Sequence, residues 1–284
     1  MGMPYGAHEA KIYYVQENNY GETPASPSMT GIKAENVEPT LNPSLIKIRG
    51  IGSRDLQAIR KGLRDVSLKV TYPLPSEAPI GFLQHVQTLE PLSIELFYEK
   101  SSSIIDLVYK GCRLNKATVE CSVEDIVKAT VELMGQNVAV GTSKITGAMY
   151  ADHTGAVPYY ESSVQRGAAD GSELTAVERV TDWKFTVENN LKQVPVIRAA
   201  DGEILKYLPV RHRNLAGEVV FEFESKQEFD DVVNDSEFSL KFGLGGTSSA
   251  LFKGCKWESV AAPTRVEDLV SLKAAFAAKD MVIS

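Results

Sequence analysis

The chain repeats itself. Tyr109-Lys110-Gly111-Cys112 returns as Phe252-Lys253-Gly254-Cys255, and Val123-Glu124-Asp125-Ile126-Val127 returns as Val266-Glu267-Asp268-Leu269-Val270, both 143 positions later with no gap. Seven of those nineteen aligned positions are identical, where ordinary composition gives about one. A duplicated structural unit is the economical source. One fold is therefore expected twice, each copy with its own core within a chain of 284 residues.

The dominant local pattern is alternation. Leu68, Val70 and Tyr72 alternate with Ser67, Lys69 and Thr71, and Val219, Phe221 and Phe223 stand among Glu218, Glu222 and Glu224. Successive strand side chains point to opposite faces, so each segment reads as a strand with one buried face. Trp183, Phe185 and Val187 form another, with Ile46 and Ile48 as its shorter counterpart. Leu92, Ile94 and Leu96 recur as Phe238, Leu240 and Phe242. The expected class is mainly β, two tandem units of sandwich or barrel type.

One short helix per unit is expected. Ser225-Lys226-Gln227-Glu228 has capping-box spacing, followed by Phe229, Val232 and Val233 on one helical face. Phe82, His85 and Val86 share that spacing, which makes Phe82 and Phe229 equivalent buried anchors. The stretch Leu272 to Ala278 has helix-forming composition. Its repeat partner, with Val127, Ala129, Val131 and Leu133 alternating against polar residues, reads as a strand, so both are assigned to strands.

Residues 1–44 are rich in Asn, Pro, Ser and Gly and read as an N-terminal arm. Residues 142–176 lack either period and read as a linker between the first unit, 45–141, and the second, 177–284.

A net charge of −7 argues against a surface that grips nucleic acid by neutralising phosphates. No apolar run is long enough to cross a bilayer, and the N-terminus lacks signal-peptide character, so synthesis and retention in the cytoplasm are expected. Cys112, Cys121 and Cys255 are odd in number, two of them repeat-equivalent, and read as buried apolar fillers. The four histidines show no metal-ligand spacing. Gly50-Ile51-Gly52 and Gly243 to Gly246 lack the strand-to-helix setting of a phosphate loop and read as turns. No catalytic, cofactor-binding or metal-binding set stands out, and no cofactor is expected.

Tyr13-Tyr14-Val15-Gln16-Glu17, Tyr20-Gly21-Glu22-Thr23-Pro24, Ile48 to Asp55, the Gly111-Cys112 turn and Asp182 to Leu191 occur in an order that resembles the tail tube (major tail) proteins of long-tailed bacteriophages and related viruses. The resemblance runs over nearly the whole chain. It implies a β-sandwich or barrel-like core flanked by a helix, closing into rings that stack into the hollow tube through which viral DNA leaves. Related tubes place one unit per chain and six chains per ring, so a doubled chain implies a trimeric, pseudo-sixfold ring, with a homohexamer as the alternative. Tape-measure, terminator and baseplate proteins are the implied partners; DNA passes without specific binding, and the virion tail is the implied location.

On that reading Glu120, Glu132, Glu218, Glu222 and Glu224 are candidates for an acidic lumen that repels phosphate. An outward solvated face fits their alternation equally. The arm and linker, with Tyr13, Tyr14, Tyr20, Tyr150, Tyr159 and Tyr160, are candidates for contacts between rings. Gly111, Cys112, Gly254 and Cys255 are structural, one pair per unit. Competing readings are another ring-forming tail component (terminator or baseplate hub), the tube of a contractile injection system, and, from another class, a soluble duplicated β-sandwich that binds ligands. The last predicts exposed aromatic clusters, whereas Trp183 and Trp257 fall in strands; a hydrolase or lyase would need converging carboxylates.

Overall fold

A computed structural model describes residues 4–101, 103–198, 201–264 and 269–284. In the first half the elements are β1 (Ala10–Gln16), β2 (Ser28–Ile32), β3 (Asn36–Asn42), β4 (Ile46–Ile48), β5 (Ala58–Arg60), β6 (Asp65–Pro73), α1 (His85–Thr88), β7 (Leu92–Lys100), β8 (Ser103–Ser122), β9 (Lys128–Gly135) and β10 (Asn137–Gly141). They continue with β11 (Met149–Ala151), β12 (Ser162–Gly167), β13 (Thr175–Ala176), β14 (Val180–Glu188), β15 (Asn214–Glu222), α2 (Gln227–Val233), β16 (Phe238–Leu244), β17 (Ser249–Ala261), β18 (Ser271–Ala277) and β19 (Asp280–Ile283).

All strands but the β4–β5 hairpin join one network of ladders, which does not close into a barrel. Three runs compose it. The first is β11–β2–β1–β7–β8–β10. The second is β3–β6–β9–β8–β14–β15–β18–β17, and it carries the chain's two halves in a single sheet. The third is β13–β12–β16–β17–β19. The long strands β8 and β17 each belong to two runs, so each turns a corner in mid-strand. Gly111 and Gly254 sit at the corners with φ of +63° and +58°, a backbone conformation that glycine adopts without a Cβ penalty.

The pairing order β6–β9–β8–β7, with β10 beside β8, recurs as β15–β18–β17–β16, with β19 beside β17. β3 flanks β6 as β14 flanks β15, and β1 flanks β7 as β12 flanks β16. Even the irregularities coincide: the β8–β9 register slips between Leu114 and Lys116, the β17–β18 register between Trp257 and Ser259, again 143 apart. One continuous apolar core spans both halves, from Val66, Leu68 and Leu114 to Phe185, Phe242 and Phe276.

Several expectations need correction. Residues 1–44 hold β1, β2 and β3, with Ile12 and Tyr13 buried; the alternation is short there, and tertiary pairing supplies what propensity does not. The 142–176 stretch holds β11, β12 and β13. The strand of Trp183 matches β3 rather than the Ile46–Ile48 strand, which pairs only with β5. In α2 the expected face is reversed: Phe229, Val232 and Val233 are exposed while Glu228 and Asp231 are buried. Arg179 holds Glu228 at 2.5 Å and Arg166 holds Asp231 at 2.6 Å, and these ion pairs draw the acidic side inward. The expected capping box does not form: the helix starts after Lys226 with no side-chain cap, Ser225 Oγ accepts from Gln227 N–H at 3.1 Å, and Glu228 is engaged by Arg179 instead. Phe82, by contrast, is buried against Tyr14 and Tyr72. The segment assigned as a strand from its repeat partner is β18; the Val266-Glu267-Asp268 turn before it lies outside the described residues.

Candidate assembly surface

The polar face of the eight-stranded run is built by the same alternation that fills the core behind it. Across it, one row of cross-strand neighbours reads Glu38, Lys69, Glu132, Lys116, Glu188. A second reads Lys128, Glu120, Lys184, Glu218. Between them Thr71 and Thr130, and Thr118 and Thr186, share hydrogen bonds at 3.1 and 3.0 Å. Glu120, Glu132, Glu218 and Glu222 thus share one face, whereas Glu224 lies past the end of β15. The face is not the run of acid suggested by their spacing, because lysines from neighbouring strands interleave with them. Directly opposed unlike charges attract, so the face is preorganised as a lattice of nearly balanced charge.

The same run has two outer strands, β3 and β17, and among the described residues neither has a ladder on its far side there. The core-facing side of β3 carries Pro39 and Leu41, both exposed. Their counterparts in β14, Phe185 and Val187, are fully buried because β14 is added to the edge of β8. An edge strand with an exposed apolar face is an open template for another chain; Pro39, which lacks an N–H, limits how it can be used.

Of the tyrosines expected at contacts, Tyr13 is buried, stacked on Phe97 and met edge-on by Tyr150. Tyr14 packs on Phe82 and His85, and Tyr20 lies under the Arg113 guanidinium. These four serve the chain's own packing. Tyr159 and Tyr160 are exposed. Leu45, Ile46, Ile48, Ile51 and Ile59, on and around the β4–β5 hairpin, also form an exposed apolar group. The Ile46/Ile48 alternation was its signal, read as a strand with a buried face.

The corners are structural. Gly111 N–H donates to the buried Glu17 carboxylate at 2.8 Å, and Gly254 N–H to the Ala169 carbonyl at 2.9 Å. Cys112 and Cys255 are buried beside them, and burial pushes the Cys112 thiol well up and that of Cys255 to about 12, while it raises Cys121 to about 11. One buried acidic pair stands apart: burial, then the neighbouring Glu95, pushes Asp106 up to about 7. Glu95 accepts from Ile145 N–H at 2.9 Å and from the Tyr150 hydroxyl at 3.0 Å, which ties down the 142–151 segment. Among the described residues no cluster of His, Cys, Asp and Glu has metal-holding geometry, and no helix is long and apolar enough to cross a membrane.

Comparison with known families matches residues 7–278 to the family described as phage tail tube protein. Curated protein sequences give no match. Among solved structures, the chain is similar to a chain of the virion of a native gene transfer agent particle at 6% identity and a TM-score of 0.37, covering 45% of this chain and 99% of that one. It is also similar to a chain of the sixfold-symmetrised anti-feeding prophage baseplate at 14% identity and a TM-score of 0.35, covering 51% of this chain and 99% of that one.

Proposed function

The chain belongs to the phage tail tube protein family and is a structural component of the virion tail; from that premise we propose that three copies close a pseudo-sixfold ring whose stacks form the tube lumen for DNA. The observation that carries this reading is the β8–β14 ladder. There the first half's four strands and the second half's four become one sheet. β17 occupies in the second half the place of β8, and β3 in the first half the place of β14. Repeating the same junction between copies pairs β17 of one chain with β3 of the next, and Lys116 opposite Glu188 becomes Ser259 opposite Asn42. The interface is heterologous and head-to-tail, the kind that closes into rings.

The polar face of the joined sheet then lines the lumen. Each lysine in the two rows has at least one glutamate directly opposite it, so passing phosphates find no uncompensated cation to hold them. Loops that remain exposed, including the β4–β5 hairpin and Tyr160, face the rings above and below. Native mass spectrometry and negative-stain microscopy test the reading: three-chain rings and hollow filaments support it, six-chain rings replace the trimer with a homohexamer, and monomers at high concentration overturn it.

A further inference from the structure

α2 presents to solvent the apolar residues that its counterpart α1 buries. The helices align at an offset of 146, marked by left-handed residues at Leu89 (φ 57°) and Asp235 (φ 53°) just past each helix. On this alignment Val86, fully buried, corresponds to Val232, 49% exposed. Leu83, also fully buried, and not Phe82 as the spacing predicts, corresponds to Phe229, 38% exposed.

Part of the difference is what lies against α1. Asn189, just past β14, donates its Nδ2–H to the Val86 carbonyl at 2.9 Å, and Ile283 of β19 donates its N–H to Gln87 Oε1 at 2.7 Å. Both visitors come from the second half of the chain. Their counterparts in the first half lie past β3 and on β10, and they are uncovered. Asn190 and Ser44 make the same left-handed turn, φ 49° and 45°. The next residue, Leu191, is 9% exposed and packed on the first half, whereas Leu45 is 51% exposed. Ile283 is 9% exposed; its counterpart Val140 is 71% exposed. Gln87 corresponds to Val233, 83% exposed.

Both sides of one missing contact are therefore on the surface of a single chain. We infer that the outward face of α2, formed by Phe229, Val232 and Val233, is the seat for a second copy of this chain, which lays its β3 exit (Leu41 to Leu45) and the end of β10 (Val140) against it. The inference rests on the ring reading and deepens it: the junction is a ladder plus an apolar seat, and the seat lies on the second half only. The reversal of α2 follows from this. Its acidic side is held inward by Arg166 and Arg179, which frees the apolar side for the neighbour.

Disulfide trapping tests it, since the native cysteines at 112, 121 and 255 are buried. Tagged Val140→Cys chains are co-assembled with Val233→Cys chains and oxidised; in parallel, Asn42→Cys chains are co-assembled with Ser259→Cys chains as a reporter of the β3–β17 ladder. Mixed dimers from both pairs are expected, with none from either single variant alone. Coupling of 42 with 259 but not of 140 with 233 overturns the seat and leaves the ring reading standing. Failure of both pairs overturns the two together, and Val233→Cys coupling to itself overturns the head-to-tail arrangement. Val233→Asp gives a second readout: an unchanged melting temperature for the unassembled chain, with the concentration needed for assembly raised about tenfold or more by loss of a buried apolar side chain and introduction of a charge. Assembly at the unaltered concentration overturns the seat.

Discussion

The Glu17 carboxylate accepts the N–H of Gly111 at 2.8 Å, and through this bond a residue of the first strand's exit holds the corner at which β8 passes from one sheet run to another. The same carboxylate accepts from Ser93 Oγ and from Gly21 N–H, each at 2.7 Å, and is almost wholly buried. Removing it strands the Gly21 and Gly111 N–H groups, while Ser93 Oγ keeps its bond to Thr23 Oγ1 at 2.8 Å. Glu17→Ala is expected to cost about 3 kcal/mol, in line with loss of charge-assisted bonds and unsatisfied buried groups. Urea unfolding of the unassembled chain measures this; a loss below about 1 kcal/mol would remove Glu17 as the corner's anchor.

The two corner glycines predict unequal costs. Both need positive φ, which penalises an L side chain by roughly 1–2 kcal/mol. At Gly111 an added Cβ would also lie 2.7 Å from Gln136 Cβ, close to the backbone, whereas at Gly254 the nearest atom is Lys279 Cδ at 2.8 Å, on a flexible side chain. Gly111→Ala is expected to lower the melting temperature more than Gly254→Ala. Equal shifts would show that space does not distinguish the corners.

Arg166 predicts a double-mutant cycle. Its guanidinium lies over Phe238 and pairs with Asp231 at 2.6 Å, and the Trp257 indole N–H donates to the same carboxylate at 3.1 Å. Arg166→Ala leaves a buried carboxylate with one neutral donor and is expected to cost about 3–5 kcal/mol. Arg166→Met with Asp231→Leu removes both charges and is expected to recover most of that loss. A double variant as unstable as the single would mean that packing, not charge, dominates the site.

These contrasts show what was legible in the sequence. Strand alternation depends on local spacing, so β6, β9, β14, β15 and β16 could be read directly, and only the repeat settled β18 against its helix-forming composition. The direction in which α2 faces could not be read, because it depends on Arg166 and Arg179, sixty-odd and about fifty residues away in sequence, and apolar spacing alone favoured the opposite face. The early strands were hidden for a similar reason: β3 has Pro39 at its centre and is a strand only because β6 pairs with it. The balanced charge of the polar face was also invisible one strand at a time, since Lys184 meets Glu120 and Glu218 only across ladders.

Asp106 predicts a pH dependence. Its folded-state value, about 7, lies above its ordinary value of 3.8 because burial and Glu95 disfavour its charge. The folded state therefore holds a proton that the unfolded state releases, and stability falls as pH rises from about 4 to about 7. Asp106→Asn is expected to flatten that slope and to stabilise the chain most at pH 8. Chemical denaturation at pH 5 and 8 checks it; an unchanged slope would place the titration elsewhere.

Lys184 stands between Glu120 and Glu218 on adjacent strands, so Lys184→Glu sets three like charges in a row. Opposed like charges on neighbouring strands destabilise by roughly 0.2–1 kcal/mol per pair, and exposed charges are screened by salt. The loss is expected to be about 1–2 kcal/mol at low ionic strength and to shrink toward zero near 1 M salt, where the screening length is about 3 Å. A deficit that does not respond to salt would mean that Lys184 acts through packing of its alkyl stem, and the balanced lattice would then have no energetic role at that position.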